Sequence, residues 1–190
     1  MTQTGTNRDI MTITRPESKD QPEAAILFHE SIRDAFIRNN FPPEEAELEA
    51  NYKIESLRHD IDTSGKEQFF LIAKCNGRIV GSVALRKSSS FVRQNIPEKY
   101  HELKVITSLL VLPEYQRKGI GRKLFGAAVM ALLAQHEEAF ILDCGYPTAQ
   151  KFWTSIVGKP YSIKHNLWYG TIDHYFWVKK IENVAINLDY

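Results

Sequence analysis

One stretch, ITSLLVLPEYQRKGIGRKLFGAAVMALL at residues 106–133, limits more than any other what this chain can fold into. Val105–Val111 is an almost unbroken apolar and β-branched run, which is typical of a strand that is buried on both faces of a sheet. Pro113 cannot donate a backbone N–H to a ladder, so the strand must end just before it. Apolar residues at helical spacing then predict a helix over Gly119–Gln135.

The loop between this strand and helix combines glycines with positive charge. Gly119 and Gly121 have no Cβ, so an anion can approach their backbone closely. The first N–H groups of the helix and its positive dipole end point at the same spot. Four cationic side chains follow within seven residues, namely Arg117, Lys118, Arg122 and Lys123. The pattern predicts a phosphate or pyrophosphate site, although a plain helix start with a solvated basic turn is the alternative.

Two familiar phosphate motifs do not fit this loop. A Walker A loop requires Gly-x-x-x-x-Gly-Lys-Ser/Thr, and a dinucleotide-binding fingerprint requires three glycines in Gly-x-Gly-x-x-Gly. The loop has instead Val111-Leu112-Pro113 at the strand end and Gln116-Arg117-Lys118-Gly119-Ile120-Gly121 at the helix start. This arrangement resembles motif A of the GNAT superfamily of N-acetyltransferases, which have the acyl-CoA N-acyltransferase fold.

The resemblance implies a fold and a cofactor site. It implies an α/β fold with a mixed, twisted sheet of six to seven strands, helices on both faces, and strands four and five parallel and splayed. In the family the loop amides hold the pyrophosphate of acetyl-CoA, and the strand before the loop pairs with the pantetheine arm. The cofactor-binding residues it implies are Leu109, Leu110, Val111, Gln116, Arg117, Lys118, Gly119, Ile120, Gly121, Arg122 and Lys123.

Composition excludes several other classes of protein. With 190 residues we expect a single domain over residues 1–190, of which 1–8 form a flexible tail. The net charge of +1, from 24 basic and 23 acidic residues, predicts neither a nucleic-acid nor a membrane partner. No apolar run reaches the ~20 residues of a membrane span, and the N-terminus has no signal-peptide pattern, so we expect a cytoplasmic protein. Cys75 and Cys144 are interpreted as core residues, and no Cys/His spacing predicts a metal.

In the rest of the chain, the apolar patterns and turn signals predict further strands and helices. Asn76-Gly77 between two apolar runs is the strongest hairpin signal in the sequence, and Gly81 marks a bulge or a close backbone approach. Ser88–Tyr100 is polar and is predicted to be a loop. The other predicted strands are Ile10–Thr14, Gln68–Cys75, Arg78–Lys87, Ala139–Cys144, Asn166–Tyr169 and His174–Ile181, and the other predicted helices are Pro22–Asn39, Glu44–Arg58 and Pro147–Ile156.

The resemblance also implies where catalysis takes place. The oxyanion donor would be a backbone N–H within Leu109–Val111. The family's usual acid, a tyrosine on the helix after the fifth strand, is replaced here by Trp153, whose indole is no acid at neutral pH. Tyr146 and Tyr161 are the alternative acids, unless water protonates the leaving thiolate. For the base, position favours Glu102 or Asp143, with a chain of water molecules as the alternative.

These features predict an acetyl-CoA-dependent N-acetyltransferase acting on a primary amine of a small molecule or peptide, without a metal. The substitution at Trp153 leaves a second hypothesis open, in which the domain binds acetyl-CoA as a sensor or partner-binding module with little turnover. Transfer of a longer acyl chain is a third, and a homodimer is an open alternative to a monomer. Glu44, Glu45, Glu47 and Glu49 form an acidic cluster that could attract a cationic amine or simply face solvent.

Overall fold

The structure, a computed structural model, describes residues 10–185, so the predicted tail at 1–8 lies outside the described residues. Seven strands form one sheet in the order β1-β2-β3-β4-β5-β7-β6. Only β4 and β5 are parallel, and every other neighbouring pair is antiparallel. The strands are β1 Met11–Thr14, β2 Gln68–Cys75, β3 Arg78–Lys87, β4 Lys104–Val111, β5 Ala139–Cys144, β6 Ser162–Trp168 and β7 Ile172–Lys180. This is the mixed sheet with a parallel centre that the sequence predicted.

Helices cover both faces of the sheet. They are α1 Gln21–Asn39, α2 Pro43–Asp62, α3 Ser90–Asn95, α4 Ile120–Ala134 and α5 Pro147–Val157. The side chains of α4 pack with Ile106, Phe140 and Leu142 in one core cluster. On the opposite face, α1 and α2 pack over Phe70 and Ile72, and α3 packs over Val105. Among the helices of residues 10–185, none is both long enough and apolar enough to cross a membrane.

The sequence signals for the β2–β3 hairpin and for Gly81 correspond to specific backbone features. Asn76 and Gly77 both have positive φ angles, 50° and 84°, as a tight hairpin turn requires. A Cβ at Gly81 would lie 2.9 Å from the Leu110 carbonyl oxygen and 2.8 Å from a methyl group of Leu124. Gly81 therefore lets β4 and α4 approach β3 closely, and a register shift between Ala73 and Lys74 on β2 adds a bulge beside it.

Two sequence predictions about local structure were wrong in part. Ser88–Tyr100 is not a plain loop, because it contains α3 and a short 3-10 turn at Glu98–Tyr100. The Ser89 hydroxyl accepts a hydrogen bond from the Val92 N–H and so caps α3. The strand predicted at Asn166–Tyr169 begins earlier, at Ser162. β6 is an edge strand with few buried side chains, so it lacks the alternating pattern by which strands are recognised.

Candidate active site

A cleft opens where β4 and β5 separate. The two strands pair only from Lys104–Phe140 to Ile106–Leu142, although both continue beyond that point. The cleft has a volume of about 1120 Å³. Its walls come from α1, α2, β3, β4, the loop before α4 and the first turn of α4, β5, α5, β6 and β7. The separation of this parallel pair at the centre of the sheet therefore creates a cleft on which several elements converge.

The backbone of β4 is irregular along this cleft. The register with β3 shifts between Ser82 and Ala84, and Ser108 has a left-handed φ of 51°. The Ser82 hydroxyl donates to the Ser108 carbonyl oxygen at 2.9 Å, which supports the bulge. The bulge changes which backbone groups of β4 point towards β3.

Beyond the bulge, one backbone amide of β4 faces away from β3. The Leu112 N–H donates to the Val80 carbonyl oxygen at 3.0 Å, so Leu112 is bonded to β3. Because bonded and non-bonded pairs alternate in an antiparallel ladder, Val111 points its N–H and carbonyl the other way, and Leu110 points towards β3. The Val111 carbonyl accepts the side-chain amide of Gln116 at 3.0 Å, which agrees with this orientation. The Val111 N–H is thus directed at the cleft.

The start of α4 forms one end of the cleft. Gly119 precedes the helix with a φ of 82°, and within residues 10–185 no atom beyond its neighbours in the chain lies within 4 Å of where its Cβ would be. The first turn of α4 contains no acidic residue. Arg117 and Arg122 are exposed and line the cleft beside these amides. A Cβ on Gly121 would lie 3.3 Å from the Phe152 ring, so α5 closes over this turn.

Several of the predicted cofactor-loop side chains are engaged elsewhere. Gln116 also accepts a hydrogen bond from Arg38 of α1 at 2.9 Å, so it joins the end of β4 to α1. Ile120 is buried in the core, and only its backbone can contribute to an anion site. Lys118 places its ammonium 4.8 Å from the Tyr115 ring centroid, and neither Lys118 nor Lys123 is among the side chains that line the cleft.

A histidine and a carboxylate meet on the sheet at the other end of the cleft. Asp143 of β5 accepts a hydrogen bond from His174 Nε2 of β7 at 3.0 Å. The His174 side chain is 2% exposed and that of Asp143 is 17% exposed, and both residues line the cleft. His174 Nδ1 is buried and has no hydrogen-bond partner among residues 10–185. Rings of Phe91, Trp168 and Phe176 surround the imidazole.

A second carboxylate comes from α2. Tyr146, at the start of α5, donates its hydroxyl to Glu49 at 2.5 Å. Lys53 of α2 lies 4.0 Å from the other Glu49 oxygen. Burial, together with the Glu49 carboxylate, raises the pKa of the Tyr146 hydroxyl well above its usual range. Glu49 therefore belongs to the cleft wall, whereas Glu45 of the acidic cluster accepts from the exposed Tyr169 at 2.6 Å.

Comparison with known proteins decides the family. A model of the Acetyltransferase (GNAT) family matches residues 28–158 of the chain. The chain belongs to this family. The match includes β4, α4, β5 and α5, and so it contains the strand, the basic loop and the helix from which the sequence argument began.

Solved structures share this GNAT fold at low sequence identity. PaiA N-acetyltransferase from Thermoplasma acidophilum, in complex with coenzyme A, is 16% identical, has a TM-score of 0.67, and the match covers 90% of this chain and 99% of that one. The yncA protein of Salmonella typhimurium, with its cofactor acetyl-CoA, is 14% identical with a TM-score of 0.67 and coverage of 94% and 98%. The ribosomal-protein-S18-alanine N-acetyltransferase of Escherichia coli is 18% identical with a TM-score of 0.60 and coverage of 95% and 100%. A comparison with curated proteins found no match.

The GNAT chain brings some of the predicted catalytic residues to the cleft and leaves others outside. Glu102 precedes β4 in a turn, its side chain is 91% exposed, and its nearest charged partner is Arg93 at 3.4 Å. Tyr161 is 48% exposed and packs on the Tyr100 ring outside the cleft. Glu102 and Tyr161 therefore lie outside the cleft, whereas Asp143 and Tyr146 line it.

The sequence did not point to His174 as a residue of the cleft, and it included Glu49 only as one member of an acidic cluster. His174 is 31 positions from Asp143 in the chain. It was interpreted only as the start of a strand, and the partner of that strand could not be known. Within residues 10–185, no group of three or more His, Cys, Asp or Glu side chains is arranged to hold a metal ion.

Proposed function

We propose that this GNAT-family protein transfers the acetyl group of acetyl-CoA to a primary amine, and that residues 1–190 form a single acetyltransferase domain. The observation that carries the proposal is the cleft between β4 and β5, which is lined by Arg117, Arg122 and the start of α4 and also by the Asp143–His174 pair. The solved relatives with bound coenzyme A or acetyl-CoA support it.

The residues at the α4 end suit the phosphates of acetyl-CoA. The N–H groups of Gly119, Ile120 and Gly121 belong to the first turn, where helix amides have no intrahelical partner. Arg117 and Arg122 add positive charge, and no acidic side chain in the first turn opposes them. Acetyl-CoA supplies an activated thioester. The cleft-facing N–H of Val111 is the donor that the geometry favours for the thioester oxygen as negative charge develops on it.

The other end suits the amine. A primary alkyl amine has a pKa of about 10.4 and so arrives as an ammonium ion, which the Asp143 carboxylate can hold and from which it can accept a proton. The His174 N–H fixes the orientation of this carboxylate, in the way that a second residue orients a catalytic group. The nitrogen then forms a bond to the carbonyl carbon while the carbon–sulfur bond breaks. The ammonium loses two protons and the leaving thiolate takes up one, so the reaction releases one proton in all.

The structure favours solvent as the source of the proton that the leaving thiolate takes up. Tyr146 is a poor acid, because its pKa is raised and because its proton is already shared with Glu49. A thiol pKa near 8.5 makes thiolate a fair leaving group at neutral pH. Neither Trp153 nor Tyr146 is a good proton donor for the thiolate. For this reason the acetyl-CoA sensor is the second candidate function.

One assay separates the two functions. Release of free thiol from acetyl-CoA is measured with a panel of small amines and short peptides, and binding of acetyl-CoA is measured by calorimetry. Amine-dependent thiol release, reduced about 10²- to 10⁴-fold in Asp143→Asn, supports the transferase. Asp62→Asn, on the exposed side of α2, is the matched control and is expected to leave the rate unchanged. Tight binding without thiol release would support the sensor, and failure to bind would overturn both.

A further inference from the structure

An arginine without an acidic partner lies on the same face of the sheet as Asp143. Arg86 of β3 is opposite Val105, and Val105 is opposite Ile141, so these three residues share one face. Asp143 is two residues beyond Ile141, and side chains two apart on a strand point to the same face. Arg86 is half-buried and lines the cleft. The structure gives its guanidinium no ion pair among residues 10–185.

The other cations of the cleft already have a role or a partner. Arg38 is bonded to Asp34 and Gln116. Lys53 lies beside Glu49. Arg117 and Arg122 stand at the α4 amides, and Lys151 is exposed on α5, the helix that closes over the same turn. Arg86 therefore lies at the acceptor end of the cleft with a positive charge that no described acidic side chain balances.

A buried hydroxyl marks the same cleft as a polar binding site. Ser31 of α1 is 3% exposed and lines the cleft, yet its hydroxyl has no hydrogen-bond partner in the part of the chain that the structure describes. His174 Nδ1 is unpartnered in the same way. Buried polar groups without partners are rare in folded proteins, because each costs free energy that a partner would recover. Both residues line the same cleft, which favours a polar ligand there.

We propose that the acceptor is a free amino acid, whose carboxylate pairs with Arg86 while its amine lies at Asp143. This inference rests on the proposed function and gives it a substrate class. Two inter-strand steps and two residues along a strand separate the Cα atoms of Arg86 and Asp143 by about 12 Å. Both side chains project from the same face of the sheet into the space between these Cα atoms. A ligand whose amine and carboxylate are a few atoms apart can therefore contact Asp143 and Arg86 together. A guanidinium suits this role because it binds carboxylate with two parallel hydrogen bonds.

The first test is a set of matched acceptors. Phenylalanine, alanine, lysine and glutamate are each compared with their amide and with the amine that lacks the carboxyl group, by thiol release from acetyl-CoA. We expect kcat/KM for the best amino acid to exceed that of its amide and of its decarboxylated amine by about 10- to 100-fold. The amide mimics the N-terminus of a peptide, so this comparison also separates free amino acids from peptide acceptors. Equal or faster turnover of the amide or the amine would overturn the inference.

The second test removes the guanidinium. Arg86→Met keeps most of the length of the side chain, and it is expected to reduce kcat/KM for the amino acid about 10- to 100-fold while changing that for the decarboxylated amine less than twofold. Arg93→Met is the matched control, because Arg93 is on α3, pairs with Glu102 and lies outside the cleft. An equal fall for both acceptors would mean that Arg86 supports the fold and does not bind a carboxylate.

The inference and the proposed function fail in different ways. If no amine releases thiol, the transferase is overturned, and binding of the same acceptors to the protein–coenzyme A complex is then measured by calorimetry. Preference for the amino acid over its amide in the parent, lost in Arg86→Met, would still support the carboxylate site. Absence of any such preference would overturn it. If amines without a carboxylate are acetylated best, the transferase stands and the amino-acid acceptor is wrong.

Discussion

The phenolic hydroxyl of Tyr146 donates to the carboxylate of Glu49, across 97 positions of the chain and from α5 to α2. The pair connects the two walls of the cleft. It also changes what Tyr146 can do, because a tyrosine that gave up its proton here would place two negative charges side by side in a partly buried site. Tyr146 is therefore better suited to hold Glu49 in place than to act as an acid.

Tyr146→Phe is expected to lower kcat less than tenfold and to raise the KM for the amine, because Glu49 loses the donor that positions it. Steady-state kinetics with acetyl-CoA and the amine varied separately measure both values. Tyr161→Phe, outside the cleft, is the control and should change neither. A fall in kcat of about 10²- to 10⁴-fold, with the KM for acetyl-CoA unchanged, would instead identify Tyr146 as the acid.

Gly121→Glu is expected to weaken acetyl-CoA binding about 10²-fold or more, because a carboxylate at the first turn of α4 repels phosphate. Isothermal titration calorimetry measures the affinity. Gly121→Gln has nearly the same size without the charge, and it controls for the contact that a new Cβ makes 3.3 Å from Phe152. If both variants lose affinity equally, bulk is the cause, and unchanged affinity in Gly121→Glu would remove this loop from the proposed site.

Trp153→Phe is expected to leave turnover within about twofold while reducing the free energy of unfolding by about 0.5–3 kcal/mol. Trp153 is 6% exposed and packs edge-to-face on Phe125 at 5.6 Å, so its main contribution is packing of α5. Thermal unfolding and kcat are measured together. Trp177→Phe, a fully buried tryptophan of β7, is the matched control for destabilisation alone. A loss of kcat much larger than that of the control would give Trp153 a role in the reaction.

Lys74→Met should make the free energy of unfolding depend less on pH in the acid range. The Asp20 carboxylate accepts from Lys74 at 2.7 Å and from the Glu17 N–H at 3.0 Å. Burial by itself would raise the pKa of Asp20, but these hydrogen bonds outweigh it and lower that pKa. A carboxyl with a lowered folded-state pKa stabilises the fold above the unfolded value of about 3.9, and this contribution is lost as the pH falls through the folded-state pKa.

The Lys74→Met variant is therefore expected to lose about 1.5–3 kcal/mol of unfolding free energy at pH 7, and the difference from the parent should shrink below about pH 4. Urea unfolding across this range measures it. Lys180→Met removes an exposed pair with Glu182 and should change stability by less than about 1 kcal/mol. A difference that stays constant with pH would mean that methionine disturbs packing and that the ion pair contributes little.

The sequence by itself determined the elements whose signals are local. Asn76-Gly77 specified the β2–β3 hairpin, because few residue pairs adopt two positive φ angles at low cost. The run around Val105–Val111, the glycines and the helical spacing after Ile120 specified β4, its loop and α4, and these are also the residues that carry the family resemblance. Where the local signal was weak, as in the six-residue α3 and the exposed β6, the sequence prediction was wrong in part.

Only the tertiary structure decided which side chains meet in the cleft. Nothing local distinguishes Asp143 from Glu102, yet strand order buries one beside His174 and leaves the other exposed in a turn. Arg86 reaches the same face because β3 pairs with β4 and β4 with β5 in one particular register. Contacts of this kind depend on pairing between distant segments, which long-range packing sets and local propensity does not encode. For this reason β4, the loop after it and α4 could be predicted from a short stretch of sequence, whereas the contact between Asp143 and His174 could not.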